Sequence, residues 1–428
     1  MTAQRTDATP GITSIPLLPY YIAVFLALSV AKAPTVLLEP RFWAEEGDVY
    51  YATLRALPAW DALTFVAKGN LQLLINLVVY VSTKVPILYA PAVTTYAAYL
   101  VELLIAVLIY RFVAAYDINR LVGLLLLVAW LFLAPSYETW NSITNIQWIC
   151  SVSLLFVLIM PGDAVGRNLG KWAVWAALCG LTGIASCVLV PGFLARAYLD
   201  RSKAFAVLGA VLAACTVVQI AIIFMHGLGD RPFAFGPRTV MVPMLLQTVL
   251  TPLIGVERVE TFVGPVRQGV VPLAALALVY LAAIPWMALA IGLASRAARV
   301  ELVAIVAGMW LLASIVYTFG ALGSPLDLIS PLGGARYYLL GAMCFCLLLA
   351  WGSRASAPLA RYTATALLVL IAGVSVSQHL RSAWVPAFTQ GPSWTAEIAK
   401  CVPQSPCIVT IWPQAQNRQI DLGTGIRP

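Results

Sequence analysis

Apolar runs of about 18 residues or more recur along this chain, and nothing constrains its fold more strongly. Such a run crosses a bilayer only as a helix, because every backbone N–H and C=O must be satisfied within the segment. A transmembrane barrel would show short alternating segments instead, and the sequence has none. With 61% of its 428 residues hydrophobic, the chain also lacks the polar surface a soluble domain of this size needs. The predicted class is an all-α polytopic membrane protein.

About 11 transmembrane helices are predicted, near 16–36, 91–112, 120–134, 143–161, 170–186, 187–200, 204–225, 270–295, 299–320, 336–352 and 360–379. Pro191 and Gly192 interrupt the pair 170–186 and 187–200. The apolar stretch 70–84 is too short to span and is expected to lie in the interface or re-enter the membrane. Residues 1–379 are expected to form the membrane domain, with a first outer-face loop at 37–90, and residues 380–428 a small outer-face tail. No signal-peptide cleavage pattern precedes the first run, which is expected to stay as an anchor.

Lys and Arg report orientation in such a chain, so the net charge of +8 carries no implication of nucleic acid. With the N-terminus inside, the cytoplasmic segments hold twelve basic residues, among them Arg111, Arg120, Arg167, Lys171, Arg196 and Lys203, against five acidic ones. The far side is nearly balanced, with thirteen basic and twelve acidic residues. Counting 70–84 as a full span would reverse the later segments and put their basic pairs outside. The outer face therefore holds 37–90, 135–142, 226–269, 321–335 and 380–428. Six cysteines lie inside apolar runs and are expected to pack as small hydrophobes. Cys401 and Cys407, six apart in the outer tail, are expected to form a disulfide.

The outer face gathers the unusual polar residues. In Arg41-Phe42-Trp43-Ala44-Glu45-Glu46-Gly47-Asp48, three carboxylates fall within four positions, although only 10% of the chain is charged. Asp48 is placed to cap a short amphipathic helix from Val49 to about Leu57. Glu45 and Glu46 are neighbours whose side chains diverge, so one of them faces a substrate. Ser136 through Trp148 supplies Glu138, Asn141, Asn145, Gln147 and Trp148. The Gly- and Pro-rich stretch 226–269 adds His226, Arg231 and Arg238, and Gly333-Gly334-Ala335-Arg336-Tyr337-Tyr338 follows. Carboxylates take a proton from a hydroxyl, amides and Trp rings hold sugar edges and faces, and Arg binds phosphate bidentately. His226 and His379 sit near helix ends, where structural roles are expected, although His226 also belongs to the candidate substrate-binding set. Lys32 and Glu102 lie within spans, where charge is costly. Glu102 is expected to find a partner in a neighbouring helix. The sequence contains no Gly-rich nucleotide loop, zinc spacing or nucleophile elbow.

The pattern resembles the GT-C glycosyltransferases, integral membrane enzymes that use polyprenyl-phosphate-linked sugars. The resemblance rests on Trp43-Ala44-Glu45-Glu46-Gly47 directly after the first span, on Asn141 through Trp148, and on Arg336-Tyr337-Tyr338. It covers most of the chain as topology and about thirty residues as motif. It implies an inverting transfer from a polyprenyl-phosphate-linked sugar donor to a periplasmic glycan or lipid acceptor at a bacterial inner membrane. Glu45 is the first choice of base and Glu46 the second. Arg336 is the implied holder of the donor phosphate, with Arg41, Trp43, Tyr337, Asn141, Asn145, Gln147, Trp148, His226 and Arg231 as further candidate substrate-binding residues. Metal dependence varies in that family, and the carboxylates are candidates to hold Mg²⁺ or Mn²⁺. Two alternatives stay open: a flippase or transporter of a lipid-linked sugar, and a glycan polymerase with arginine-bearing outer loops.

Overall fold

The computed structural model describes residues 17–67, 69–227, 237–268, 300–320, 327–331, 334–381, 385–401, 405–413 and 416–423. The longer helices are α1 (Leu17–Lys32), α2 (Leu73–Ser82), α3 (Ala90–Ala115), α4 (Arg120–Phe132), α5 (Ile146–Ile159) and α6 (Leu169–Gly180). They continue as α7 (Val190–Leu199), α8 (Lys203–His226), α9 (Val256–Arg267), α10 (Val300–Gly320), α11 (Leu339–Gly352) and α12 (Pro358–Arg381). Two small antiparallel ribbons complete the described structure. One pairs β1 (Val66–Ala67) with β2 (Asn70–Leu71), and the other pairs β3 (Ile408–Thr410) with β4 (Gln419–Asp421), Val409 opposite Ile420.

Five helical segments among the described residues are long and apolar enough to cross a membrane: Ile87–Ala115, Lys203–His226, Val300–Tyr317, Ala335–Gly352 and Pro358–Arg381. The predicted span 270–295 lies outside the described residues. Every other predicted span coincides with a helix, and those not among the five are short, α1 reaching 16 residues and α7 only 10.

Burial separates inner helices from outer ones. The apolar window of Ala335–Gly352 is 94% buried, against 28% for Lys203–His226 and for Pro358–Arg381. The exposed residues of the outer helices include Val217, Phe224, Met225, Leu359, Leu370 and Leu380. Apolar side chains on that scale would be a liability in water and are what a helix facing hydrocarbon presents. At the centre, α11 packs on α5, α10 and α12, while α5 also receives α3 and α6, and α1 lies against α3 and α4.

The short apolar stretch 70–84 forms α2, a helix of 10 residues. At 1.5 Å per residue it measures about 15 Å, half the hydrocarbon thickness. It is pinned by Leu73 N donating to Leu181 O at 2.9 Å and by Leu74 N donating to Thr182 Oγ1 at 3.0 Å. The stretch 226–269, expected as a loop, is helical over much of its described part: Pro237–Met244, a wide π-helical turn at Leu245–Leu250, Thr251–Ile254 and α9. Helical spacing of Val242 and Leu246, and of Val259, Val263 and Val266, lets these residues build a small core with Ile329.

Candidate functional site

The first loop is shaped by one residue. Ala44 adopts φ 43°, in the left-handed region that a side chain disfavours. It is held there because Ala44 N donates to Trp412 O at 2.5 Å while Trp412 N donates to Phe42 O at 3.2 Å. The turn then closes by Glu46 N donating to Trp43 O at 2.9 Å and opens the π-helical turn Glu46–Tyr51. The helix therefore starts before Asp48, and the predicted role of Asp48 as its N-cap is corrected. Asp48 Oδ2 instead accepts from Arg418 Nη1 at 2.7 Å.

The same turn separates the two glutamates. Glu46 is 1% exposed, and burial pushes its carboxyl up to about 8, against the opposing pull of Thr94, Arg41 and the Trp43 backbone. Its Oε1 finds no hydrogen-bond partner among the described residues. Arg41 is also buried, its guanidinium between the Trp43 ring (5.4 Å) and the Trp412 ring (4.8 Å). Burial lowers its pKa to about 10, with Glu46 opposing. Glu45 keeps 26% of its side chain exposed, and its Oε1 accepts from Arg418 Nη2 at 3.2 Å. The Arg418 guanidinium thus bridges Glu45 and Asp48.

Arg418 comes from the tail, where β3 and β4 fold against the first loop. Cys401 and Cys407 are joined in this segment, with Cα atoms 5.0 Å apart. Arg55 ties the ribbon down by donating to Leu422 O (3.1 Å) and Asp421 O (3.0 Å). The ribbon docks closely over Gly47: a Cβ there would lie 2.4 Å from Ile420 Cδ1 and 3.0 Å from Ile411 Cδ1, so those side-chain ends would have to shift.

Arg336 follows Gly334, whose φ of 68° places the chain in the left-handed region. Arg336 Nη1 donates to Glu138 Oε1, and Arg336 N donates to Glu138 Oε2 at 3.3 Å. The guanidinium lies 5.1 Å from the Tyr337 ring centre, and that ring meets Trp148 edge-on at 5.0 Å. Asn145 Nδ2 donates to Glu138 O at 2.8 Å. Arg336, Tyr337, Asn145 and Trp148 therefore form one wall, with Glu45 within electrostatic reach of Arg336. Glu138 organises this wall.

Other candidates stand elsewhere. Asn141, fully buried with φ 48°, donates its backbone N–H to Glu102 Oε1 at 2.8 Å. Its side-chain amide has no partner among the described residues. Glu102 and Lys32 lie within electrostatic reach of each other, as expected for partners on neighbouring helices. Lys32 Nζ also donates to Ser136 Oγ at 3.1 Å and sits 4.2 Å from the Trp140 ring. Gln147 turns toward Gly183 and Gln72, since a Cβ on Gly183 would be 2.1 Å from Gln147 Oε1. His226 is exposed at the end of α8 with Nδ1 3.1 Å from Ile222 O of its own helix. His379 stacks on Tyr137, its Nδ1 3.1 Å from the Tyr137 hydroxyl. Arg231 lies outside the described residues.

No three His, Cys, Asp or Glu side chains converge as a metal site among the described residues. Where Glu45 and Asp48 approach each other, Arg418 already supplies the cation, so a divalent ion would have to displace it. Sequence reasoning missed Arg418 and Trp412. The tail's only signal was the Cys401–Cys407 spacing, which marks a closed segment without saying where it docks. No family model, curated protein or solved structure matches the chain.

Proposed function

We propose that this protein is a membrane glycosyltransferase that moves a sugar from a polyprenyl-phosphate-linked donor to a glycan or lipid acceptor. In this reading the chain has eleven spans in a bacterial inner membrane, its N-terminus is cytoplasmic, and the site faces the periplasm. The observation that carries it is a partly exposed carboxylate, Glu45, within electrostatic reach of Arg336, whose guanidinium packs on Tyr337 beside Trp148.

The Glu45 carboxylate takes the proton of the acceptor hydroxyl as that oxygen attacks the anomeric carbon. The bond from that carbon to the donor phosphate oxygen breaks on the opposite side, which inverts the centre. The departing phosphate carries the negative charge to Arg336, whose orientation is held by Glu138. Tyr337 and Trp148, packed edge to face, back the Arg336 guanidinium, and Arg418 orients Glu45. Glu46 is the weaker choice because its side chain is buried, 1% exposed, where an acceptor hydroxyl does not reach it.

The test is turnover by purified protein in nanodiscs, given a polyprenyl-phosphate sugar and acceptor extract. Glu45→Gln is expected to lower kcat by roughly 100-fold or more, the range of a positioned base. Glu46→Gln is expected to keep kcat within about tenfold, since a neutral amide replaces a neutral acid. Full turnover in Glu45→Gln would sink the assignment. Carrier flipping without transfer, unchanged in that variant, would favour a flippase.

A further inference from the structure

At the end of the helix bundle away from Glu45 lies a groove that the proposed reaction does not use. Helix α3 begins near the candidate site, where Thr94 meets Glu46, and ends at Ala115. Both α3 and α6 pack on α5, and a cavity of about 300 Å³ separates them, lined by Leu104, Leu108, Arg111, Lys171, Trp172 and Trp175. One wall is fixed from below, because Trp175 Nε1 donates to Ser153 Oγ of α5 at 2.9 Å.

The groove is graded along its length. Arg111 lies four residues before the end of α3, and Lys171 is the third residue of α6. Both cations sit at one mouth. Leu104, seven residues earlier on α3, lies about 10 Å deeper at 1.5 Å per residue. In a bilayer the mouth falls at head-group level and the floor among acyl chains, where Trp is favoured at the boundary.

Charge decides the occupant. Arg167, Arg196 and Arg354 at this end each face a carboxylate, from Asp163, Asp200 and Asp117. Arg111 and Lys171 have no acidic partner among the described residues, and both are exposed. A short apolar trough closed by two uncompensated cations complements a molecule with one anionic head and an apolar chain.

We propose that this groove binds one anionic phospholipid, its phosphate between Arg111 and Lys171 and one acyl chain along Leu104, Leu108, Trp172 and Trp175. Basic pockets between transmembrane helices recognise anionic head groups in this way, and two near-surface cations correspond to a roughly 30-fold preference over a zwitterionic lipid. The inference does not depend on the glycosyltransferase reading.

The full-length protein would be purified in detergent and titrated with phosphatidylglycerol or phosphatidylcholine, counting bound lipid by native mass spectrometry. One phosphatidylglycerol should bind, with the roughly 30-fold preference given above. In the double variant Arg111→Gln/Lys171→Gln the preference should fall below about threefold, as expected once both cations are gone. Leu104→Trp should lose the bound lipid with both cations intact, because the added ring fills the trough. Lys171→Gln alone, at an exposed position, should lose about half of the preference on a logarithmic scale and guards against a misfolded double variant. Equal binding of the two lipids by the unaltered protein would overturn the inference, as would a preference unchanged in both cation variants. Full displacement of phosphatidylglycerol by equimolar glycerol phosphate would also overturn it, because the site would then take a free phosphate ester rather than a lipid.

Discussion

At Ala44 the backbone turns left-handed, and that turn sends Glu45 toward Arg418 and Glu46 into the protein beside Thr94 and Arg41. The consequence for Glu46 is a pH dependence of stability with a defined sign. Its folded pKa, about 8, lies above its ordinary value of 4.5, so the folded state binds the extra proton between those values. The stabilisation is complete below pH 4.5, declines as pH rises, and is lost by about pH 8. Thermal unfolding from pH 5 to pH 9 should therefore show the native protein losing stability relative to Glu46→Gln up to about pH 8 and running parallel above it. Parallel curves throughout would mean that Glu46 is not held neutral. The adjacent carboxylates could be told apart in principle from sequence, since neighbours diverge, but which one turns inward depends on Ala44, and Ala44 is positioned by Trp412.

The element that changes the site most is the tail ribbon. Its strands are short, and its contacts to the first loop combine a backbone bridge at Trp43 and Trp412, ion pairs from Arg418, and apolar contact of Ile420 and Ile411 over Gly47. A guanidinium shared by two carboxylates restricts both, so Arg418 acts as a positioning residue for Glu45. Arg418→Gln is expected to lower kcat by about 10- to 100-fold while KM for the donor changes little, consistent with the loss of a charge-assisted hydrogen bond at the base. Arg418→Lys should recover part of that loss. A rise in KM alone, with kcat preserved, would assign Arg418 to substrate binding instead. The Arg336 wall is also an element-scale construction: Arg336, expected as a phosphate clamp, reaches its position through Glu138, on the short helix Pro135–Thr139.

For the whole molecule, the decisive property is the division between inner and outer helices. α5 and α11 are enclosed by protein, whereas α8 and α12 turn apolar residues outward. That arrangement puts the low-polarity surface where lipid belongs, and the ends of the helices then carry the polar loops. The charge bias of those ends predicts their orientation. In intact spheroplasts, Asp61→Cys in the first loop should react with a membrane-impermeant maleimide, whereas Arg201→Cys should react only after permeabilisation. Both positions are exposed. The reverse pattern would invert the topology and with it the proposed access of Glu45 to a lipid-linked donor.

The helical membrane class, the shortness of α2, the acidic first loop and the Cys401–Cys407 pair were all legible in the chain, because each is a property of local composition or spacing. Run length reports a span, charge bias reports a side, and a six-residue cysteine interval reports a small closed loop. Even the helices of 237–267 left a trace in the spacing of Val242, Leu246, Val259, Val263 and Val266, hidden by the surrounding Gly and Pro. What only the tertiary structure decided is who meets whom: Arg418 with Glu45 and Asp48, Arg336 with Glu138, Asn141 with Glu102, Gln147 with Gly183. The first of these joins residues 373 and 370 positions apart in the chain. Periodicity and composition decay over a few turns of helix, so pairings across hundreds of residues become visible only when the packed helices bring the loops to one face.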